Sequence, residues 1–333
     1  MAHVAPTTVL PATSRWLEQL GFTRPLLFTE LQLFETLLAR TSRCGIYVLH
    51  MVDGQYYVGQ SVDVVKRLGQ HRRRFEAIER ISFKPVARTK AQLDLAEIEA
   101  IQTLEAAGLP LLNIVHASIT YQSSPFDDLM PPAEQRRWLD KPLSLPPVER
   151  RIIPDEIRAK SADKYARLLR RPDISKIINV LQQYVASCIA IPHATEPDYW
   201  SVSCLPSTNA STWPRIACFN INTMEVFVVG HEKNDPRQIW SFLTVSNVAF
   251  TQAYSTDKEF LQAHPGASLE DSGYSAAGHD QVRIQVSSIE QATKLLGDPG
   301  ITRAARLFNL HLMRKRTNFY ARHHCYDLAT SLL

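Results

Sequence analysis

Residues 44–49 have the sequence CGIYVL, and residues 57–61 have the sequence YVGQS. Both segments are short, apolar and rich in β-branched and aromatic residues, which is typical of strands. An Asp-Gly pair lies between them and accepts the positive φ angles of a tight hairpin turn. We therefore predict two paired strands, over residues 44–52 and 55–61, each carrying a tyrosine and a glycine.

The segments behind this hairpin complete a small α/β module. From Val62 to about Ile81 apolar residues recur at helical spacing, which predicts a helix. A third strand is predicted over residues 82–88. A second helix is predicted over residues 91–107, where a following glycine and proline end it. The predicted order is ββαβα.

The rest of the chain divides into three segments. Residues 1–42 contain an amphipathic, Leu- and Phe-rich stretch, which predicts a helical extension packed on the next domain; docking to a partner helix is the alternative. Residues 121–190 begin as a proline-rich linker and continue as a basic helical connector. The charged face of this connector is equally consistent with a solvent-exposed helix face and with a surface that contacts a DNA backbone. Residues 191–333 carry strands followed by helices, which favours a C-terminal α+β domain. With the module at residues 43–120, we predict a mixed α+β fold.

Composition limits the class of protein. The chain has 333 residues, of which 45% are hydrophobic and 21% charged, as in soluble globular proteins of two or three domains. Its five cysteines include no CxxC pair, which disfavours a disulfide framework and a structural zinc site. No apolar run approaches the roughly 18 residues of a membrane span. We predict a cytoplasmic protein with no membrane segment.

Positive charge is concentrated in the predicted module. The formal net charge is only +4, yet residues 66–90 contain nine Lys or Arg against two acidic residues. Residues 191–333 contain 12 basic and 13 acidic residues. The local excess favours a nucleic-acid backbone as the partner of the module.

The module carries an ordered set of polar residues. Tyr47 belongs to the tripeptide GIY and Tyr57 to the tripeptide YVG. Arg67 follows ten residues after the second tyrosine, and His71 comes one helical turn later. Together with a glutamate and an asparagine further on, this arrangement resembles the GIY-YIG endonuclease family over roughly residues 43–116.

The resemblance implies a role for each of these residues. Both phenols face the scissile phosphate, and one of them acts on the attacking water. Arg67 stabilises the charge that builds on phosphorus, for which its fixed fork of donors is suited. His71, on the same helix face, relays a proton from Tyr47 or holds a phosphate oxygen. Gly45 and Gly59 leave room for a phosphate backbone.

The resemblance also implies a hard divalent cation, Mg²⁺ or Mn²⁺, held by one glutamate. Glu97 and Glu99 are the two candidates. In the family the glutamate is followed four residues later by a buried aliphatic residue, which is Ile101 for Glu97 and Thr103 for Glu99. We therefore predict Glu97 as the catalytic metal ligand.

Other residues of the module are predicted to support the site or bind DNA. Asn113 matches the closing asparagine of the family and fixes the loop beside the site. Phosphate contacts are predicted for Gln60, Ser61 and Lys66. Sequence-independent contacts to the DNA backbone are predicted for Arg72, Arg73 and Arg74.

Two tryptophans of the C-terminal segment admit two interpretations. Trp200 and Trp213, with Tyr199 nearby, suit a pocket for a base or modified nucleotide. Packing in a hydrophobic core is the favoured interpretation.

These residues predict a metal-dependent endonuclease of the restriction or phage-defence type that acts on double-stranded DNA. By analogy with how such modules are appended to others, the C-terminal part selects the target. Alternatives are a nuclease effector or toxin controlled by a C-terminal sensor or protein-interaction domain, and a DNA-repair nuclease. Because each chain carries one site, cutting both strands requires a homodimer, a higher oligomer or sequential nicking.

Overall fold

The computed structural model describes residues 11–30, 42–71, 77–86, 89–113, 123–141, 153–272, 274–278 and 280–333. The fold is mixed α+β with two antiparallel sheets, as the sequence predicted. The chain divides into two compact units, Met1–Gln122 and Ser123–Leu333. Within the ranges described, every helix is too short or too polar to cross a membrane.

The first unit is built on a four-stranded sheet with the strand order β1-β4-β2-β3. Its elements in chain order are α1 (Pro11–Gln19), β1 (Leu26–Leu27), β2 (Gly45–Met51), β3 (Tyr56–Ser61), α2 (Val64–His71), β4 (Ile78–Pro85) and α3 (Lys90–Ala106). The predicted hairpin is β2-β3, and Gly54 in its turn has a φ of 81°. Strand β3 lies at one edge of this sheet.

One face of this sheet packs on α1 and α3, and the other packs on α2. One apolar cluster includes Ile46 and Ile101 and joins the sheet to α3. The other includes Leu49 and Leu68 and joins the sheet to α2. Because successive side chains of a strand alternate between faces, Tyr47 lies on the α2 face.

The helix predicted to extend to Ile81 differs from the structure. In the described residues α2 ends at His71, and Ile78–Pro85 is a strand. The strand predicted over residues 82–88 therefore begins four residues earlier. The segment is a strand because β4 hydrogen-bonds to both β1 and β2 in the middle of the sheet. The helical spacing of its apolar residues does not reveal these long-range pairings.

The N-terminal segment is not helical throughout. Helix α1 ends at Gln19, and Gly21 follows with a φ of 81°, which a helix does not accommodate. Leu26 then pairs with Ile81, so that part of the predicted extension joins the sheet as a strand. Residues 31–41 of that segment lie outside the described residues.

The second unit contains a six-stranded sheet with the strand order β5-β6-β7-β8-β10-β9. Its strands are β5 (Trp200–Cys204), β6 (Arg215–Ile221), β7 (Met224–His231), β8 (Ile239–Val245), β9 (Ser268–Glu270) and β10 (Val282–Val286). Its helices are α4 (Phe126–Leu129), α5 (Pro132–Asp140), α6 (Asp155–Leu169), α7 (Ile174–Cys188), α8 (Pro192–Thr195), α9 (Asn247–Ala253), α10 (Asp257–Ala263), α11 (Ile289–Leu296), α12 (Pro299–Lys315) and α13 (Tyr326–Leu332). Strand β8 ends at Val245, since Ser246 caps α9.

The predicted linker and connector, residues 121–190, contribute to the core of this second unit where they are described. Phe126, Trp138, Leu168 and Ile177 are buried in the same apolar cluster as the sheet. The helices that carry these residues are therefore part of a folded unit. Each has an apolar face, although the charge and proline content of the segment favoured a linker. Residues 142–152, which hold three of the prolines, lie outside the described residues.

Candidate active site

The structure brings Tyr47, Tyr57, Arg67 and His71 together on the α2 face of the first sheet. The hydroxyl of Tyr47 lies 2.6 Å from Nε2 of His71. Arg67 hydrogen-bonds to the hydroxyls of both tyrosines. The ring of His71 lies 5.5 Å from the ring of Tyr47 and 5.2 Å from that of Tyr57, measured between centroids. These four residues come from two strands and one helix, and they form one hydrogen-bonded group, the tyrosine cluster.

The hydrogen bond between Arg67 and Tyr47 has a defined direction. A guanidinium only donates, so the oxygen of Tyr47 accepts from Arg67. The same hydroxyl is hydrogen-bonded to Nε2 of His71. His71 consequently fixes Tyr47, and Tyr47 fixes the guanidinium of Arg67.

Exposure separates the two tyrosines. Tyr47 is fully buried and His71 is 2% exposed, whereas Tyr57 is half-buried and Arg67 is exposed. The expectation that both phenols face the phosphate is corrected on this point, because only Tyr57 and Arg67 present surface to solvent. The alternation along β2 puts Tyr47 beneath them.

Burial also sets the charge state of Tyr47. Loss of solvent raises its pKa well above the ordinary tyrosine value, and the proximity of Tyr57 adds to this. The hydrogen bond and positive charge of Arg67 act in the opposite direction. Conversely, the hydrogen bond to Tyr47 raises the pKa of Arg67, which keeps its full positive charge at any working pH. The hydroxyl of Tyr47 is therefore un-ionised at neutral pH.

Glu97 lies on α3 and is held by the edge strand. Nε2 of Gln60 donates to Oε2 of Glu97 at 2.8 Å and to Oδ1 of Asp94 at 2.6 Å. Burial raises the pKa of Glu97, the hydrogen bond from Gln60 lowers it, and the charge of Asp94 raises it again. Gln60, a predicted phosphate contact, instead joins two carboxylates.

Asp94 is a residue that the sequence analysis missed. It lies three residues before Glu97, which places both carboxylates on one face of α3. That spacing was available in the sequence as a signal. The rival glutamate, Glu99, is exposed, and Ile101 is fully buried, so the helix register matches that expected for Glu97.

The donor set at Glu97 fits a hard divalent cation. Two carboxylates lie close enough to share one amide donor, and burial disfavours their joint negative charge, which a cation would neutralise. Mg²⁺ needs only one or two carboxylates, with water and phosphate completing its shell. Among the described residues no group of three or more His, Cys, Asp or Glu side chains is arranged around a metal position.

Glu97 and the tyrosine cluster act on one another across the edge of the sheet. Gln60 pairs with Ile46 on the α3 face, whereas Tyr47 pairs with Gly59 and points to the α2 face. Nevertheless, the charge of Arg67 lowers the pKa of Glu97, and that of Glu97 raises the pKa of Tyr47. The two halves of the site therefore lie within electrostatic range of each other.

The glycines leave room for protein atoms. A Cβ on Gly59 would overlap the ring and hydroxyl of Tyr47, so the missing side chain is what lets the phenol lie across β3. A Cβ on Gly45 would overlap the backbone carbonyl of Lys84 on the neighbouring strand. At both glycines, atoms of the sheet occupy the space that was expected to admit a phosphate backbone.

Asn113 holds the edge strand β3 by two hydrogen bonds to its backbone. Its Oδ1 accepts from the backbone N–H of Val58 at 2.9 Å, and its Nδ2 donates to the backbone carbonyl of Val58 at 2.7 Å. Asn113 is 5% exposed, so water does not replace these bonds. It thereby fixes the strand that carries Tyr57 and Gly59.

Replacing Asn113 by alanine is expected to lower the free energy of unfolding of the first unit by about 2–4 kcal/mol, because it leaves a buried N–H and a buried carbonyl unpaired. Urea denaturation measures this. Asn247→Ala, at an exposed position in the second unit, is the control and is expected to change stability by less than about 0.5 kcal/mol. Equal effects of the two substitutions would contradict the supporting role of Asn113.

The remaining predicted contacts have more local positions. The hydroxyl of Ser61 accepts from the backbone N–H of Asp63 at 3.1 Å and shapes the turn into α2. Lys66 is exposed on α2. Arg72, Arg73 and Arg74 lie outside the described residues.

Trp200 and Trp213 have different environments. Trp200 is fully buried in the core of the second unit, as predicted, and Tyr199 is 7% exposed in the same cluster. Trp213 is 48% exposed and contacts Trp240.

Comparison with known proteins gave no relative: no family model, no curated protein and no solved structure matches the chain.

Proposed function

We propose that the first unit is a metal-dependent DNA endonuclease of the GIY-YIG kind, which hydrolyses phosphodiester bonds of double-stranded DNA. The proposal is carried by one observation: Arg67 is exposed, and its guanidinium is held by the hydroxyls of Tyr47 and Tyr57 beside a buried histidine. A fixed cation with open surface suits the charge that builds on phosphorus during hydrolysis.

In this proposal each residue of the cluster has one task. Arg67 contacts the phosphate and stabilises its developing charge. Tyr57, the tyrosine that a water molecule outside the sheet can reach, positions that water for attack on phosphorus. Tyr47 and His71 hold Arg67 in place from beneath. A divalent cation held by Glu97, with Asp94 beside it, would supply positive charge near the leaving oxygen.

The test is plasmid cleavage by the full-length protein with and without Mg²⁺ or Mn²⁺. Supercoiled DNA, both unmodified and carrying modified bases, is converted to nicked or linear products if the proposal holds. Absence of products from every DNA with both metals would overturn it. The ratio of nicked to linear product reports whether the two strands are cut together.

Removing single hydroxyls from three tyrosines tests the division of tasks. Tyr57→Phe is expected to reduce the cleavage rate by roughly 10²-fold or more, since it removes a group that contacts the nucleophile. Tyr47→Phe is expected to cost roughly tenfold, since Arg67 loses one of its two anchors, and about 1–3 kcal/mol of stability, since buried His71 loses its hydrogen bond. Tyr56→Phe is the matched control, because Tyr56 belongs to the cluster on the α3 face.

These rates are measured by single-turnover cleavage at saturating DNA. A larger loss in Tyr56→Phe than in Tyr57→Phe would contradict the assigned positions. So would full activity of Tyr57→Phe.

A further inference from the structure

The second unit leaves one face of its sheet uncovered by the helical core. Core residues such as Phe219 and Leu243 point to the helices, whereas a separate cluster on the opposite face contains Cys218, Trp240 and Phe242. Two cavities open on this second face, of about 220 and 550 Å³. They share the lining residues Asn209 and Arg215. The larger lies in the range of about 300–1,000 Å³ that is typical of small-molecule sites.

Three residues that line the smaller cavity each carry a buried N–H group without an acceptor among the described residues. These groups are Nε of Arg215, Nε of Arg283 and Nε1 of Trp240. Arg215 is 9% exposed and Trp240 is 4% exposed. A buried donor without an acceptor costs free energy comparable to a lost hydrogen bond. A cavity lined by three residues with unpaired donors therefore favours a ligand that brings several acceptors.

The same cavity has aromatic walls. The ring of Trp240 is stacked on that of Phe242, with centroids 6.3 Å apart and an interplanar angle of 7°. Trp213 meets Trp240 edge to face at 5.4 Å, and the guanidinium of Arg283 lies 4.3 Å above Phe242. Gly230 permits this arrangement, since a Cβ there would overlap the Trp240 ring. Flat surfaces of this kind bind planar rings, and partly exposed Trp213 is free to stack on one.

The larger cavity is positively charged. Its lining includes four Lys or Arg, namely Lys160, Lys164, Arg215 and Arg322, and one carboxylate, Glu225. Arg215 pairs with Glu225 at 2.7 Å, so the lysines and Arg322 leave a net positive surface. The cavity that adjoins the aromatic walls is thus suited to an anion such as phosphate.

We propose that this face of the second unit binds a nucleotide, with the base against Trp213 and Trp240 and the phosphate in the basic cavity. The base supplies hydrogen-bond acceptors at the smaller cavity, and the phosphate supplies the negative charge. The same chemistry has two sources, a free nucleotide or a nucleotide flipped out of DNA. This site lies within the second unit and does not depend on the proposed nuclease activity.

Isothermal titration of the full-length protein in EDTA, where metal-dependent cleavage does not occur, tests the proposal. The probes are the eight common ribo- and deoxyribonucleoside monophosphates, inorganic phosphate, and a DNA duplex with one mismatched base pair beside its fully paired counterpart. Saturable binding is expected for at least one monophosphate or for the mismatched duplex in preference to the paired one. The first outcome identifies a free nucleotide as the source and the second a flipped nucleotide.

Two variants locate the binding. Trp213→Ala and Lys164→Ala are each expected to raise the dissociation constant about tenfold, because one removes the stacking surface and the other a phosphate contact. Both side chains reach the surface, so neither substitution opens the core. The matched controls are Trp16→Ala, an exposed tryptophan of the first unit, and Lys258→Ala on α10; both are expected to bind as the wild type does.

Two results would overturn the proposal. One is that no monophosphate binds up to millimolar concentration and the mismatched duplex binds no better than the paired one. The other is that inorganic phosphate binds as tightly as every nucleotide and Trp213→Ala changes nothing, since an anion site without base recognition would then remain.

Discussion

Replacing Arg67 by alanine is expected to reduce DNA cleavage on the order of 10³-fold while leaving DNA binding within a few-fold of the wild type. The side chain is exposed, so its removal opens no cavity, and Tyr47 keeps its hydrogen bond to His71. What is lost is the only group in the tyrosine cluster that carries a fixed positive charge. The loss should therefore appear in the single-turnover rate constant, with little change in the dissociation constant from gel-shift titration.

Arg67→Lys separates charge from geometry. A lysine keeps the charge but replaces a planar fork of five donors by a single ammonium group, which cannot bridge two phenols in the same way. We expect it to recover less than about a tenth of the wild-type rate. Arg24→Ala, an exposed arginine paired with Glu18, is the control and should cleave normally. Cleavage by Arg67→Ala within tenfold of the wild type would contradict the role given to this residue.

The parts of the site that the sequence predicted are those governed by local rules. The Asp-Gly turn and the alternation of β-branched residues define the β2-β3 hairpin, so Tyr47 and Tyr57 could be placed on facing strands. Helical spacing similarly put Arg67 and His71 on one face of α2. That the four side chains meet was an expectation from family resemblance, and the hydrogen bonds between them appear only in the structure.

Other features depend on contacts between residues distant in sequence, which local patterns do not encode. The burial of Tyr47 beneath Tyr57 follows from the packing of α2 on the sheet. The role of Gln60 between Asp94 and Glu97 depends on where α3 crosses the edge strand. Likewise, β4 is a central strand because two neighbours pair with it, although its sequence continues a helical pattern.

The second unit shows the same limit more strongly. Its strands were predicted from β-branched and aromatic content, but no motif marks the face that carries Arg215, Trp240 and Arg283. These residues become neighbours only because β6 pairs with β7, β7 with β8, and β8 with β10, across residues 215–286. Trp213 was noted in the sequence beside Trp200, yet the structure places Trp200 in the core and Trp213 on the opposite face.

Replacing Glu97 by glutamine is expected to reduce cleavage by roughly 10²-fold or more at every Mg²⁺ or Mn²⁺ concentration, because an amide is a much weaker ligand for a hard cation than a carboxylate. The shape of the side chain is kept, and the new amide oxygen still accepts the hydrogen bond from Gln60. Glu99→Gln is the matched control: Glu99 lies on the same helix, is exposed, and was the rival candidate from the sequence. Equal losses in the two variants would contradict the choice of Glu97.

The same substitution carries an opposite prediction for stability. Burial and the charge of Asp94 raise the pKa of Glu97, so its ionised form costs folding free energy at pH values above that pKa. The cost disappears as the pH falls and the carboxyl becomes protonated, and a neutral glutamine removes it at neutral pH. Glu97→Gln is therefore expected to unfold at a higher temperature than the wild type at pH 7 in EDTA, with the difference shrinking toward acid pH. A functional carboxylate retained at the expense of stability is what a cation site predicts, whereas a carboxylate kept for structure would lower the unfolding temperature when it is removed.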